Sequence, residues 1–139
     1  MKSVIICGSI SAAEEILRVQ KELVEQGRVV EIPLGVKKYV ENGYQHVSEL
    51  ERSSDKKEND LIRRYYELIK DHDCVLVVNA EKNGVDGYIG GNTFLEMAFG
   101  HVLDKKLYVL NRLPKESSYL SELEAMQPVV IGGDLEKVV

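Results

Sequence analysis

Two short runs of consecutive apolar residues place the strongest constraint on the fold. They read SVIIC at residues 3–7 and CVLVV at residues 74–78. A strand that alternates apolar and polar residues has one face in water, whereas a continuous apolar run is typical of a strand covered on both faces. Such strands occur in parallel sheets, because the crossover connections place helices above and below the sheet. The two runs therefore predict a sheet buried between two layers.

Strand and helix signals alternate along the rest of the chain. Ser11 and Glu14 have the spacing of a capping box, and Gly27 is a suitable helix terminator. The predicted strands are 3–7, 28–32, 74–78, 107–110 and 129–131, with helices between them at 11–27, 60–70, 93–103 and 119–126. Residues 34–59 are predicted to form a short helix and then a mobile loop around 52–58.

This alternation predicts an α/β fold in one domain spanning residues 1–139. We expect a three-layer flavodoxin-like or Rossmann-like open sheet, with about five parallel strands flanked by helices. In such sheets a ligand binds beyond the carboxyl ends of the strands, near the point where the strand order reverses. If the first and third strands are neighbours, the loops that follow them face each other at that point.

Composition excludes several classes of function. The chain is 44% apolar and 29% charged, as in globular proteins, and its net charge of −5 argues against general nucleic-acid binding. No apolar stretch approaches the roughly 18 residues of a membrane span, and no signal peptide is recognised. We therefore expect a cytoplasmic protein with no membrane partner. The pair Lys37-Lys38 is interpreted as solvated surface, and Cys7 and Cys74 as buried apolar residues.

The histidines and cysteines have no metal-binding spacing, so neither a metal nor a cofactor is expected. The loop Gly8-Ser9-Ile10-Ser11 offers backbone N–H groups and two hydroxyls at a helix start, an arrangement suited to an anion. Equally, Gly8 could simply make the turn and Ser11 cap the helix. Neither a Walker loop nor a dinucleotide fingerprint is present.

A second loop, Gly90-Gly91-Asn92-Thr93, precedes a nearly uncharged helix whose single acid is Glu96. Thr93 and Glu96 have capping-box spacing, so Glu96 could bond back to its own backbone. Alternatively, it is a functional carboxylate kept ionised by the positive end of the helix, with Gly100 leaving space beside it. Spacing alone leaves both interpretations open.

At these residues the chain resembles the nucleoside 2-deoxyribosyltransferase superfamily. The sequence CGSI after the first strand and the glycine-bearing loop ending in Glu96-x-x-Phe99-Gly100 carry the resemblance, and CGSI is most similar to 2′-deoxynucleoside 5′-monophosphate N-glycosidases. The resemblance implies that Glu96 attacks C1′ of the sugar and forms a covalent glycosyl intermediate. It implies further that the residues lining the base and sugar pocket are Gly8, Ser9 and Ile10, and that those holding the 5′-hydroxyl or 5′-phosphate are Gly90, Gly91 and Asn92.

The chain departs from the family pattern at the residue that assists departure of the base. The family carries an Asp at the position of Tyr65, and we consider Asp60 or Asp86 as substitutes. The sequence GGNTFLE is also loosely similar to the GGxGTxxE loop of lysine-decarboxylase-like phosphoribohydrolases. Both resemblances imply a nucleoside or nucleotide ligand, cleaved or transferred at its N-glycosidic bond. A non-catalytic nucleotide sensor of the same fold is the alternative.

Three further expectations concern binding and assembly. Tyr88 is a candidate for stacking on a base, and Asn79, which follows the third strand, is a candidate for hydrogen bonding to substrate. Thr93 is included with the loop that holds the substrate. The helix at 93–103 is apolar nearly all round, which predicts a homo-oligomer.

Overall fold

The computed structural model describes residues 2–45 and 58–139, and it contains the predicted parallel sheet. The strand order is β2-β1-β3-β4-β5, with every pairing parallel, so the α/β prediction is confirmed. The strands are β1 (Ser3–Cys7), β2 (Val29–Glu31), β3 (Cys74–Val77), β4 (Lys106–Val109) and β5 (Val129–Val130); the helices are α1 (Ala13–Glu25), α2 (Leu34–Glu41), α3 (Glu58–Lys70), α4 (Gly91–Val102) and α5 (Leu120–Ala125).

The sheet is covered on both faces, as the continuous apolar runs require. Alternate residues of β1 point to opposite layers: Val4 and Ile6 pack on the side of α1 and α2, whereas Ile5 and Cys7 pack on the side of α3, α4 and α5. All four residues of β3 are buried. Cys7 and Cys74 are free buried thiols, as expected.

The amino ends of the two central strands are fastened by one side chain. The Asp73 carboxylate accepts hydrogen bonds from the Ser3 backbone N–H at 2.8 Å and from its hydroxyl at 3.1 Å. These bonds lower the pKa of Asp73, the backbone bond contributing most, because they favour the charged form. The clamp fixes β1 against β3, with Val4 opposite Cys74 and Cys7 opposite Val77.

Two predicted helix caps are wrong. Ser9, rather than Ser11, caps the chain after β1: its hydroxyl accepts from the Ser11 N–H at 3.2 Å and opens a 3-10 turn over Ile10–Ala12, after which α1 begins at Ala13. Helix α4 begins at Gly91, with Gly90 as N-cap and no side-chain cap. Thr93 is therefore already inside the helix.

Gly100 has a different structural role from the one predicted. A Cβ at this position would lie 2.8 Å from Leu107 Cδ2 and 3.1 Å from Val75 Cγ2. The absent side chain therefore lets α4 approach the sheet closely, and it does not make space beside Glu96. Close approach of α4 to β3 and β4 brings the start of the helix over the edge of the sheet.

Two observations concern the segments between and beyond these elements. The predicted loop around residues 52–58 lies almost entirely outside the described residues, which resume at Glu58 with α3. Within 2–45 and 58–139, none of the helices is long and apolar enough to cross a membrane.

Candidate functional site

The site lies where the strand order reverses. The chain leaves β1 toward β2 on one side, and β3 continues toward β4 on the other, so the loops after β1 and β3 open a crevice at the carboxyl edge of the sheet. Two adjoining pockets occupy this crevice and share Gly8, Leu34, Gly35, Leu61 and Asn92. We call the pair the cleft, and name its parts the apolar compartment and the polar compartment.

The apolar compartment has a volume of about 160 Å³. Its walls come from the β1 loop, the start of α2, helix α3 and helix α4. Apolar side chains dominate the lining, which comprises Gly8, Pro33, Leu34, Gly35, Leu61, Ile62, Tyr65, Asn92, Leu95, Glu96 and Phe99. Of these lining residues, Glu96 alone carries a carboxyl group.

Glu96 lies in the second turn of α4, partly buried, and its side chain faces the apolar compartment. No residue in the described part of the chain makes a hydrogen bond or an ion pair with its carboxyl group. The capping-box alternative is therefore wrong, since Gly90 caps the helix and Glu96 does not bond back to the backbone. The carboxyl group is available to a ligand.

Burial controls the ionisation of this group. It raises the pKa of Glu96 to about 8, because the apolar walls solvate a carboxylate poorly. The prediction that the positive end of the helix keeps the carboxyl ionised is wrong, because desolvation by burial dominates its pKa. A cationic or electron-poor ligand would shift the balance toward the carboxylate.

Tyr65 stands at the position where the superfamily that the sequence resembles carries an Asp, and it lies in the wall of the same compartment. Its hydroxyl donates a hydrogen bond of 2.5 Å to the Ile6 carbonyl oxygen, and the residue is only 8% exposed. Burial first, and then the neighbouring Cys7 and Glu96, raise the pKa of Tyr65 well above its ordinary value. The tyrosine therefore stays neutral and ties α3 to β1.

The polar compartment is larger, about 440 Å³, and lies at the start of α4. Its volume is within the range of small-molecule sites, about 300–1,000 Å³. In addition to the five shared residues, the lining comprises Ser9, Ile10, Lys38, Lys82, Tyr88, Gly90, Gly91 and Thr93. The lining of the polar compartment thus includes two lysines and several backbone N–H groups, whereas that of the apolar compartment is mainly hydrocarbon.

A small hairpin shapes the rim of the polar compartment. Lys82 and Val85 pair through their backbones, and Asn83 and Gly84 between them have φ values of 51° and 81°, as a type I′ turn requires. The hairpin places the Lys82 ammonium group 5.1 Å from the centre of the Tyr88 ring. Both side chains line the cleft.

The buried side chain of Asn79 bonds the loop after β3 to the segment that follows β4, and it does not line the cleft. It is 1% exposed, and its Nδ2 atom donates to the carbonyl oxygens of Asn111 and Arg112, both at 3.0 Å, and of Gly87 at 3.4 Å. Its Oδ1 atom accepts from the Asn111 N–H at 2.9 Å. We therefore assign Asn79 a structural role in place of the predicted contact with substrate.

The structure separates the other predicted residues into two groups. The predicted binding residues that line the cleft beside Glu96 are Gly8, Ser9, Ile10, Tyr88, Gly90, Gly91, Asn92 and Thr93. Ser11 lies outside this lining, with its hydroxyl 2.9 Å from that of Ser9. Asp60 is an exposed residue of α3 that lines neither compartment. Asp86 lines a different depression, with Arg112 and Lys115, so neither aspartate stands beside Glu96.

Sequence reasoning missed several residues that the tertiary structure brings to the cleft. Lys38 was interpreted as solvated surface, yet it lines the polar compartment, and Lys82 had no role. The position of Lys82 in the loop after β3 was a usable signal. Lys38 offered none, because only the packing of α2 across the β1 loop directs it inward. Within 2–45 and 58–139 no three His, Cys, Asp or Glu side chains come together as metal ligands.

Comparison with solved structures finds a similar fold in the CMP N-glycosidase BcmB of Clostridium botulinum. The two chains are 17% identical, the likeness covers 93% of this chain and 85% of the other, and the TM-score is 0.50. At this identity the likeness shows the fold alone. No protein-family model and no curated protein sequence matches the chain.

Proposed function

We propose that this chain cleaves or transfers the N-glycosidic bond of a nucleoside or nucleoside 5′-monophosphate, with Glu96 as the nucleophile. The observation that carries the proposal is a carboxyl group to which no described residue bonds, directed into an apolar pocket at the switch point of the sheet. The N-glycosidase activity in the name of the structural neighbour, on the same fold, supports the same class of reaction.

The reaction has two steps. An oxygen of the Glu96 carboxylate bonds to C1′ as the bond from C1′ to the base nitrogen breaks, and the electron pair leaves with the base, which takes up a proton from solvent. Water or a second base then attacks C1′ and loses a proton to solvent as the ester bond to Glu96 breaks, which restores the carboxylate. The apolar walls favour this chemistry because they limit the water that competes for the intermediate.

The ionisation of Glu96 determines when the first step occurs. Only the ionised carboxylate is a nucleophile, and burial raises the pKa of Glu96 to about 8. Positive charge develops on the sugar in the transition state, and this charge stabilises the carboxylate at close range. We therefore expect the rate to rise as the pH increases toward about 8.

A second candidate function is non-catalytic nucleotide binding, and Tyr65 is the observation that favours it. Its hydroxyl proton is directed at the Ile6 carbonyl oxygen, so it is not directed at a departing base. Neither Asp60 nor Asp86 lines the compartment to replace it. A protein with this cleft and no acid for the base could bind a nucleotide without cleaving it.

Release of free base separates the two candidates. The protein is incubated with a panel of nucleosides and their 5′-monophosphates, and the base is quantified by chromatography while binding is followed by thermal shift. We expect base release, with Glu96→Gln reducing the rate by about 1,000-fold or more. Glu116→Gln is the matched control, since Glu116 is exposed and lines the separate depression with Asp86.

A trapped intermediate tests the role of Glu96 directly. A 2′-fluorinated nucleotide, whose fluorine slows breakdown of the ester, should leave a covalent mass on the peptide that contains Glu96. Binding without base release by the unaltered protein would instead establish the sensor. Base release that survives in Glu96→Gln would reject Glu96 as the nucleophile.

We also propose that the protein is a cytoplasmic homo-oligomer. Leu95 and Val102 of α4 are 43% and 79% exposed, and two apolar residues on one helix are better covered by a second subunit than left in water. The free thiols of Cys7 and Cys74 suit a reducing compartment. Sedimentation of the unaltered chain and of Val102→Lys tests the interface: a smaller species in the variant is expected, and identical monomers would contradict it.

A further inference from the structure

We propose that the apolar compartment selects an N-glycoside whose base is a cation, such as an N-ribosylpyridinium, which leaves the sugar as a neutral molecule. This inference rests on the proposed function for the bond that is cleaved, and it names the class of leaving group. Two features of the compartment carry it. No described residue bonds to the carboxyl group of Glu96, and the Tyr65 hydroxyl is already engaged with the backbone of β1.

The charge of the apolar compartment is unbalanced when Glu96 ionises. Glu96 is the one residue of its described lining whose side chain carries a charge near neutral pH. The two lysines of the cleft, Lys38 and Lys82, line the polar compartment and do not belong to the apolar lining. A carboxylate in apolar surroundings is costly in free energy unless a positive charge lies close to it. A cationic ligand is therefore the electrostatic complement of this pocket.

The titratable groups that the described residues place around Glu96 supply no positive charge. Burial, and then the charge of Glu96, raises the pKa of Cys7 well above its ordinary value, and the pKa of Tyr65 is raised too, again chiefly by burial. Both side chains are therefore neutral at physiological pH. Glu31, at the end of β2, forms its ion pair with Lys37 and lines neither compartment. Within the described part of the chain, a compensating charge is left to the ligand.

The described lining also contains no second acid to protonate a departing base. The Tyr65 hydroxyl donates its hydrogen bond of 2.5 Å to the Ile6 carbonyl oxygen. Neither Asp60 nor Asp86 lines the compartment. A neutral base leaves with the electron pair of the broken bond and then needs a proton. A cationic base leaves as a neutral molecule, because the same electron pair cancels the charge on its ring nitrogen. A leaving group of this second kind needs no acid.

The change of charge in the first step suits the apolar walls. An oxygen of the Glu96 carboxylate bonds to C1′ as the bond from C1′ to the positive ring nitrogen breaks, and the electron pair of that bond passes to the nitrogen. The negative carboxylate becomes a neutral ester while the positive base becomes neutral. Poorly solvating surroundings favour a step in which opposite charges cancel. Water then attacks C1′ and loses a proton to solvent as the ester bond breaks, which restores the carboxylate.

Two aromatic side chains strengthen the preference for a cation. Tyr65 and Phe99 both line the apolar compartment, and the face of an aromatic ring attracts a positive charge within about 6 Å of its centre. In the polar compartment, Tyr88 already has the Lys82 ammonium group 5.1 Å from its ring centre. No described lysine or arginine lies over the ring of Tyr65 or Phe99. These two rings are therefore available to a planar cationic base.

A matched pair of ligands tests the inference without turnover. The cation 1-methylnicotinamide and neutral nicotinamide differ by one methyl group and one charge, and calorimetry at pH 8 should show the cation bound about 10- to 100-fold more tightly. Below pH 8 the affinity for the cation should weaken by about tenfold per pH unit, because Glu96 must first release a proton, whereas that for nicotinamide should stay constant. Glu96→Gln should abolish the preference, and Glu116→Gln, which changes an exposed acid outside the cleft, should retain it.

Base release by the unaltered protein separates this inference from the proposed function. Nicotinamide riboside should be cleaved with a kcat/KM at least about 100-fold above that of each neutral nucleoside in the panel, after spontaneous hydrolysis is subtracted, because neutral bases lack acid catalysis. Preferential binding of the cation without release of any base would contradict the proposed function and uphold the selection of cations. Cleavage of neutral nucleosides with equal kcat/KM, or equal affinity for 1-methylnicotinamide and nicotinamide, would overturn this inference and leave the proposed function intact.

Discussion

The two compartments of the cleft are built in different ways. The apolar compartment is walled by helices α3 and α4 packed on the sheet, and no described residue bonds to its one carboxyl group. The polar compartment is walled largely by loop, and it depends on a hairpin, on Asn79 and on glycine. Apolar packing thus sets the ionisation of Glu96, whereas loop geometry shapes most of the polar compartment.

The difference predicts that the two compartments respond to separate substitutions. A change in the loop should disturb ligand selection and the stability of the loop. A change in the helical wall should disturb the ionisation of Glu96 or the tie between α3 and β1. The three predictions that follow are ordered by the size of the expected effect.

The largest effect is expected at Glu96 as the pH changes. The folded carboxyl has a pKa of about 8, and the unfolded carboxyl ionises near its ordinary value of about 4.3. Between these values the folded state holds a proton that the unfolded state has lost, so stability is fully present at low pH and falls as the pH rises toward 8. The slope is at most about 1.4 kcal/mol per pH unit.

Glu96→Gln removes this dependence, so the variant should gain stability over the unaltered protein from pH 5 to pH 8. Denaturant unfolding at a series of pH values measures the difference in the free energy of unfolding between the two proteins. The base-release rate of the unaltered protein should rise from pH 5 to pH 8. A constant difference between the two proteins across that range would show that the helical wall does not desolvate Glu96.

The second prediction concerns the loop. Gly87 has a φ of 68°, and a Cβ there would lie 2.2 Å from the Arg112 carbonyl oxygen, so Gly87→Ala should destabilise the fold by about 2–4 kcal/mol. Gly84→Ala is the control, since its φ is 81° but nothing lies near its added Cβ. Urea unfolding should rank Gly87→Ala well below Gly84→Ala. Equal losses would mean that backbone conformation alone, and not the close approach to Arg112, determines the cost.

The smallest effect is expected at Tyr65. Tyr65→Phe removes the hydrogen bond to the Ile6 carbonyl oxygen but keeps the ring in the wall, so we expect a loss of about 1 kcal/mol in the free energy of unfolding. Base release at saturating substrate should stay within a few-fold of the unaltered rate. A far larger fall in kcat, with stability preserved, would give the hydroxyl a part in departure of the base and merge the two roles that we separate here.

Much of the fold could be predicted because the polarity of neighbouring residues shows which strands of a sheet must be buried. SVIIC and CVLVV require cover on both faces, and alternation with helices requires parallel strands, so the buried parallel sheet followed, whereas its strand order did not. The helix starts were less predictable. Ser11 and Thr93 both have capping spacing, but the chain begins α1 and α4 elsewhere because turn geometry at Ser9 and Gly90 takes precedence.

The features of the candidate site likewise fall into those that could be predicted from the sequence and those that could not. The glycine-bearing loops after β1 and β3 meet because their strands are neighbours; the strand pattern predicted this only on the condition of that pairing, which the structure shows. Three features of the site could not be derived from the sequence. Lys38 lines the cleft, the Asn79 amide bonds within the loop region, and Asp60 and Asp86 lie away from Glu96. Each depends on which side chains a segment far away in the sequence places nearby, and spacing along the chain does not give these distances in space.

By itself, the sequence determined a buried parallel sheet, two glycine-bearing loops after strands and an isolated acid in an apolar helix, because these follow from the order and polarity of neighbouring residues. Only the tertiary structure decided that no described residue bonds to the acid, that its pKa is raised to about 8 and that two lysines line the same cleft. Ionisation and selection are properties of an enclosed space, and that space exists only once segments far apart in the chain have packed together.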